Sequence, residues 1–147
     1  MTADDRGPAG PVPPRQALEL TSAEAWRLLA GVSLGRVVFT RHAMPAIRPV
    51  NHVTDGHTII IRSHPGSAIA AYAETGDGVV CYEADDIDPA RHTGWSVIAT
   101  GMAQLLSGEA AARYRQRLEP WAAGRRDHVI AIKPQIITGI RLMGWCC

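Results

Sequence analysis

Lysine is nearly absent from this chain. Lys133 is the single lysine among 15 basic residues, and arginine and alanine are abundant in its place, which we read as coding bias and not as chemistry. An excess of either charge is also missing. With 15 basic and 14 acidic residues the formal net charge is +1, which gives no basis for bulk binding to nucleic acid or to an anionic membrane. There are three cysteines and no C-x-x-C: Cys81 lies in an apolar run, and Cys146 and Cys147 are adjacent at the chain end. That is no disulfide framework, and it points to a reducing, cytoplasmic setting. No apolar run reaches the ~18 residues a membrane span needs, and Asp4 and Asp5 stand where a signal peptide would be basic and then apolar. The chain has no G-x-G-x-x-G, Walker loop, H-E-x-x-H or G-x-S-x-G.

What is present suits one domain with one sizeable core: 147 residues, 46% hydrophobic and 20% charged. Residues 1–17, with Pro8, Pro11, Pro13 and Pro14, have little to bury and are expected to be a disordered tail, leaving 18–147 as the domain. Thr21 and Glu24 have capping-box spacing, and Ala25, Leu28, Leu29 and Val32 follow at helical intervals. Strands are expected over 35–40, 46–53, 57–63, 78–84, 95–106, 128–134 and 136–143. Asp55-Gly56 marks a hairpin. Ser67 is a candidate N-cap for a short helix over 67–74. A third helix runs from Ser107 to about Trp121, with Ala111, Tyr114 and Leu118 on one side. Strands joined mostly by short turns argue for a mainly β, antiparallel barrel with flanking helices, not a doubly wound sheet.

Single residues are less decisive. Glu83, Asp85, Asp86 and Asp88 match no EF-hand spacing and read as a solvated loop after a strand. The six histidines show no zinc spacing, so no metal site is expected. His52 and His64 are candidates for proton transfer or simply surface and hairpin residues. Cys81 reads as a small buried hydrophobe. Trp95 is either a core residue or the wall of a site for a flat ring. Arg62 is either a ligand or a charged strand end, and Pro49 suggests a strand edge or bulge.

The segments GVSLGRVVFT, IRPVNHV, DGHTIIIRSHPGS, VVCYEADDID and GWSVIATGMAQLL, in that order and spacing, resemble the pyridoxamine 5′-phosphate oxidase-like flavin-binding proteins. The resemblance covers residues 20 to about 143 and is strongest to a small actinobacterial branch with a Gly-Trp-Ser-Val strand. It implies a six-stranded antiparallel split β-barrel that forms a homodimer, with FMN in grooves at the subunit interface. Carried onto this chain, Arg48, Pro49, Val50 and Asn51 run along the flavin ring. Arg62 and Ser63 lie near the ribityl chain and phosphate, Gly66 and Ser67 meet the phosphate, and Trp95 and Ser96 reach the cofactor from another side. The chain departs from the family where many members have a basic residue after the loop serine: here Ala68 and Ile69 follow Ser67. The pyridoxamine-phosphate substrate signature is also not evident. The function implied is an FMN-dependent oxidoreductase acting on a small molecule, with its catalytic residues unassigned. The alternatives are an F420-dependent reductase and a non-catalytic carrier of flavin or haem.

Overall fold

The computed structural model describes residues 16–64, 67–75, 78–118 and 128–144. In chain order the elements are β1 (Ala17–Glu19), α1 (Ser22–Ala30), β2 (Leu34–Arg41), β3 (Met44–Asp55), β4 (Thr58–Ser63), α2 (Ala68–Glu74), β5 (Val79–Asp88), β6 (Thr93–Leu106), α3 (Gly108–Arg117) and β7 (His128–Leu142). The sheet order is β1-β7-β4-β3-β2-β5-β6, every pairing is antiparallel, and β6 also pairs with β7. Six strands, β2 to β7, therefore close into a ring. The fold is the expected split barrel with its helices outside.

Local chemistry starts α1 and α2 as anticipated. Thr21 Oγ1 accepts from the Glu24 amide at 3.2 Å, and Glu24 Oε1 accepts from the Thr21 amide at 3.4 Å. The Thr21 hydroxyl, which also donates to Glu24 Oε1 at 2.9 Å, and then the Thr21 amide hold the Glu24 carboxyl below its ordinary range. Ser67 Oγ accepts from the Ala70 amide at 3.2 Å and starts α2. Ala111, Tyr114 and Leu118 are buried as one side of α3. Ser107 makes no side-chain cap bond, and Trp121 lies outside the described residues.

Three features differ from the sequence reading. The acidic run of Glu83, Asp85, Asp86 and Asp88 belongs to β5, paired with β6, and is not a loop after it. Residues 128–142 form one strand and not two. Pro134 stands opposite Gly101, where the β6–β7 register shifts at Thr100/Gly101. A bulge there tolerates a residue with no ladder donor, and the missing side chain of Gly101 lets the Lys133 carbonyl approach. The third is β1. Most of the expected tail lies outside the described residues, but Ala17 is already paired with Leu142.

Alternation along the strands divides the protein into an inner and an outer face. Inward residues Ile59, Ile61, Val37, Phe39, Val80, Tyr82, Trp95, Val97, Ala99, Ile130 and Ile132 form the core with Ala25, Trp26 and Leu29 of α1. A second cluster lies outside the ring, where α3 covers Ile60, Val129 and Ala131. Elsewhere the outer face has little cover among the described residues. Ile47, Ile98, Ile136 and Ile140 are 56%, 46%, 62% and 40% exposed.

Candidate functional site

The residues expected around a phosphate fall at one end of the barrel, where β4 runs out and α2 begins. Ser63, the last residue of β4, is buried, and its Oγ lies 2.5 Å from Ser67 Oγ. Ser67 also accepts from the Ala70 amide. Two hydroxyls carry two hydrogens, and only one of them is used between the pair. The other is available to an external acceptor. That surplus donor fits a phosphate oxygen. Gly66, expected to join them, lies outside the described residues. Ala68 and Ile69, the departure from the family pattern, pack against the core, and Ile69 is fully buried.

Arg62 does not share this face. Neighbouring residues on a strand point to opposite sides, and Arg62 Nη1 donates to the Leu118 carbonyl at 3.0 Å, at the end of α3. Arg48, Pro49, Val50 and Asn51 lie on the half of β3 that runs past β4, whose ladder spans only His52–Asp55. Pro49 faces Arg36 of β2, and its missing N–H costs nothing on the side where β4 has ended. Arg48 is exposed and donates to the neighbouring Ile47 carbonyl at 2.7 Å. Val50 and Asn51 are half-buried, with Val50 against the core.

Trp95 and Ser96 stand at the opposite end. Trp95 is a core residue at 7% exposure, so the alternation of the strand turns its ring inward. Ser96 faces out into a cavity of about 310 Å³ lined by Glu19, Leu20, Ile98, Ile137, Thr138, Gly139 and Ile140. Arg62 pairs with Val129, and Val129 with Leu106, ten residues along β6 from Ser96. The other way round the ring Ser96 pairs with Asp85 on β5, and Leu34 of β2 pairs with Asn51 of β3, so the ten-residue offset is the stagger of a closed barrel and not a distance across it.

A larger cavity, of about 650 Å³, opens beside the end of α1 between β2, β3 and β5. Arg36, Asp85, Asp86 and Arg117 line it, with His52 at its wall. Arg36 Nη1 is held by Glu83 Oε2 at 3.0 Å and Asp85 Oδ1 at 3.4 Å. Burial, with Asp85 alongside, pushes the Glu83 carboxyl up despite the guanidinium. The acidic run thus has partners, and Asp88 caps the amides of Ala90 and Arg91. Among the described residues no group of three His, Cys, Asp or Glu is arranged to hold a metal ion.

Sequence reasoning missed His52. It is 2% exposed, not a surface or hairpin residue. Its Nε2 lies 2.9 Å from the Leu29 carbonyl and its Nδ1 2.5 Å from the Tyr82 hydroxyl. Its partners are 23 and 30 residues away, beyond the reach of any local pattern. Cys81 is likewise not a buried hydrophobe. It is half-buried, with Sγ 3.3 Å from Thr100 Oγ1.

The family model for pyridoxamine 5′-phosphate oxidase matches residues 21–141, and the chain belongs to that family. It is 51% identical over 140 residues to an uncharacterized protein of Mycobacterium tuberculosis, covering 92% of this chain and 91% of the relative. Among solved structures it is similar to the FAD binding protein from Mycobacterium smegmatis. That match has 35% identity and a TM-score of 0.74 and covers 88% of this chain and all of that one. A conserved protein of unknown function from Corynebacterium diphtheriae matches at 24% identity and TM-score 0.70, covering 86% of this chain and 98% of that one, and shares the fold. No helix among the described residues is long and apolar enough to cross a membrane.

Proposed function

We propose that this protein binds a flavin nucleotide at sites shared by two copies of the chain and acts as a flavin-dependent oxidoreductase on a small molecule. The observation that carries the reading is the part-buried Ser63–Ser67 pair with one hydrogen to spare, beside the start of α2. FMN is the form the sequence resemblance implies. The M. smegmatis neighbour is described as binding FAD, and a phosphate next to a flavin ring is common to both.

In this reading the Ser63 and Ser67 hydroxyls hold the phosphate, and Arg48 is the exposed guanidinium free to turn toward it. Val50 and Asn51 offer the ring an apolar wall and a polar edge. Ser96 and the apolar groove around it come from the second copy, as the family resemblance implies for a site at a subunit interface. The uncovered outer face, with Ile47, Ile98, Ile136 and Ile140, supports self-association. When bound, the flavin supplies hydride or electron transfer, which explains why no catalytic triad is needed. The chain's own residues bind, orient and exclude water.

The test is the visible spectrum of purified protein after incubation with FMN, FAD or F420 and removal of free ligand by gel filtration. Retained FMN or FAD is the expected result. Retention of F420 alone, or of none of the three, overturns the reading. Ser67→Asp keeps a good N-cap but sets a carboxylate against the phosphate, and it should abolish retention.

A further inference from the structure

His52 takes no part in the flavin reading, yet it is among the most completely enclosed polar groups in the described chain. It stands on β3 between α1 and β5 and closes one wall of the 650 Å³ cavity. Its two contacts fix its chemistry. The Leu29 carbonyl only accepts, so Nε2 carries the hydrogen and donates at 2.9 Å. Nδ1 is then a lone pair, and the Tyr82 hydroxyl donates to it at 2.5 Å. The missing side chain of Gly35 makes room for that hydroxyl, since a Cβ there would overlap it. Leu29 belongs to the last turn of α1, so the ring ties that helix to the barrel wall.

We propose that the Leu29–His52–Tyr82 contact is an acid-sensitive latch, and that taking up a second proton on His52 releases α1 and opens the cavity wall it forms. A proton on Nδ1 sets two donors face to face. The Tyr82 hydroxyl must turn, and its hydrogen then needs a new acceptor in a buried site, or the ring must leave for water.

The surroundings favour the neutral ring. Burial pushes His52 below its ordinary range, and the Leu29 carbonyl offsets this only in part. Charges nearby come from Arg36 on β2, Glu83, Asp85 and Asp86 on β5, and Arg117 on α3. Arg36 is held by Glu83 and Asp85, and Arg117 donates to the Thr54 carbonyl. On α1, Glu24 is bound to Thr21 and Arg27 is exposed. On β4, Ile61 is the residue opposite His52. A lowered folded value means that the released form binds more protons in mild acid. The latch is therefore closed above about pH 6.5 and weakens as pH falls below it.

The test is hydrogen exchange on the Ser22–Ala30 amides at about pH 7.5 and about pH 5, corrected for intrinsic rates. Protection of α1 should fall roughly tenfold per pH unit below about 6.5, while the β6–β7 ladder keeps its protection. In His52→Leu/Tyr82→Phe the Leu29 carbonyl still accepts from the Gly31 amide, and the pH effect should vanish. Equal α1 protection at both pH values in the wild type, or the same acid loss in the variant, overturns the proposal. If the variant does not fold, the ring nitrogens of His52 in the wild type decide by NMR. A neutral ring protonated on Nε2 well below pH 6.5 supports the latch, and ordinary titration near 6.5 with Nδ1 protonated overturns it.

Discussion

The outer side of β7 is used in two ways. At Val129 and Ala131 it is sealed under α3, against Tyr114 and Leu118. From Ile136 to Ile140 the same side of the same strand is bare. Burying such a side chain is worth about 1.5–3 kcal/mol, and the described residues leave that gain unused along half of the strand. The difference teaches where one copy of the protein stops being sufficient. The covered half stabilises the single chain, and the bare half, continuous with Ile98 and Ser96 on β6, is the surface that the proposed function gives to a second copy.

Paired charge substitutions should separate the two halves most sharply. Ala131→Glu puts a carboxylate under α3 with no partner, and should cost about 3–5 kcal/mol or prevent folding. Thermal unfolding reads it. Ile136→Glu should change monomer stability by no more than about 0.5 kcal/mol yet convert dimer to monomer in sedimentation velocity. Equal unfolding losses in the two variants would break the comparison. A smaller effect sharpens the covered half alone. Tyr114 donates to Asp55 Oδ2 at 2.6 Å and so pins α3 to the β3–β4 hairpin. Tyr114→Phe should lose about 1 kcal/mol, measured by denaturant midpoint, with the oligomeric state unchanged. At the small end, Thr21→Ala removes the α1 cap and should cost about 1 kcal/mol or slightly less without altering assembly or flavin retention.

Much of the fold was legible because its causes are local. The Thr21–Glu24 box, the Ser67 cap, the Asp55-Gly56 hairpin and the apolar side of α3 depend on neighbours within four residues or so. Pro134 misled because a proline inside a strand ordinarily ends it, and the bulge that tolerates it belongs to Gly101 on another strand. The three residues of β1 are too few to show alternation. The candidate site was legible as a list and not as an arrangement. Arg62 and Ser63 are adjacent in sequence and opposed in space. Trp95 and Ser96 divide in the same way, one into the core and one into the groove. The burial of His52 escaped notice because it comes from Leu29 and Tyr82, which no window around it contains.

The central claim is that one flavin site takes its phosphate end from one copy and its groove from the other, and mixing two damaged proteins tests it. Ser67→Asp blocks the phosphate end, and Ser96→Trp fills the groove of about 310 Å³. Each variant alone should retain no flavin after gel filtration. Unfolded and refolded together, they form mixed dimers with one intact site made of the undamaged end of each copy. Flavin absorbance should then return in the dimer fraction, at one site per mixed dimer. A mixture as colourless as its parents, or a Ser96→Trp protein that keeps its flavin unaided, would contradict the account.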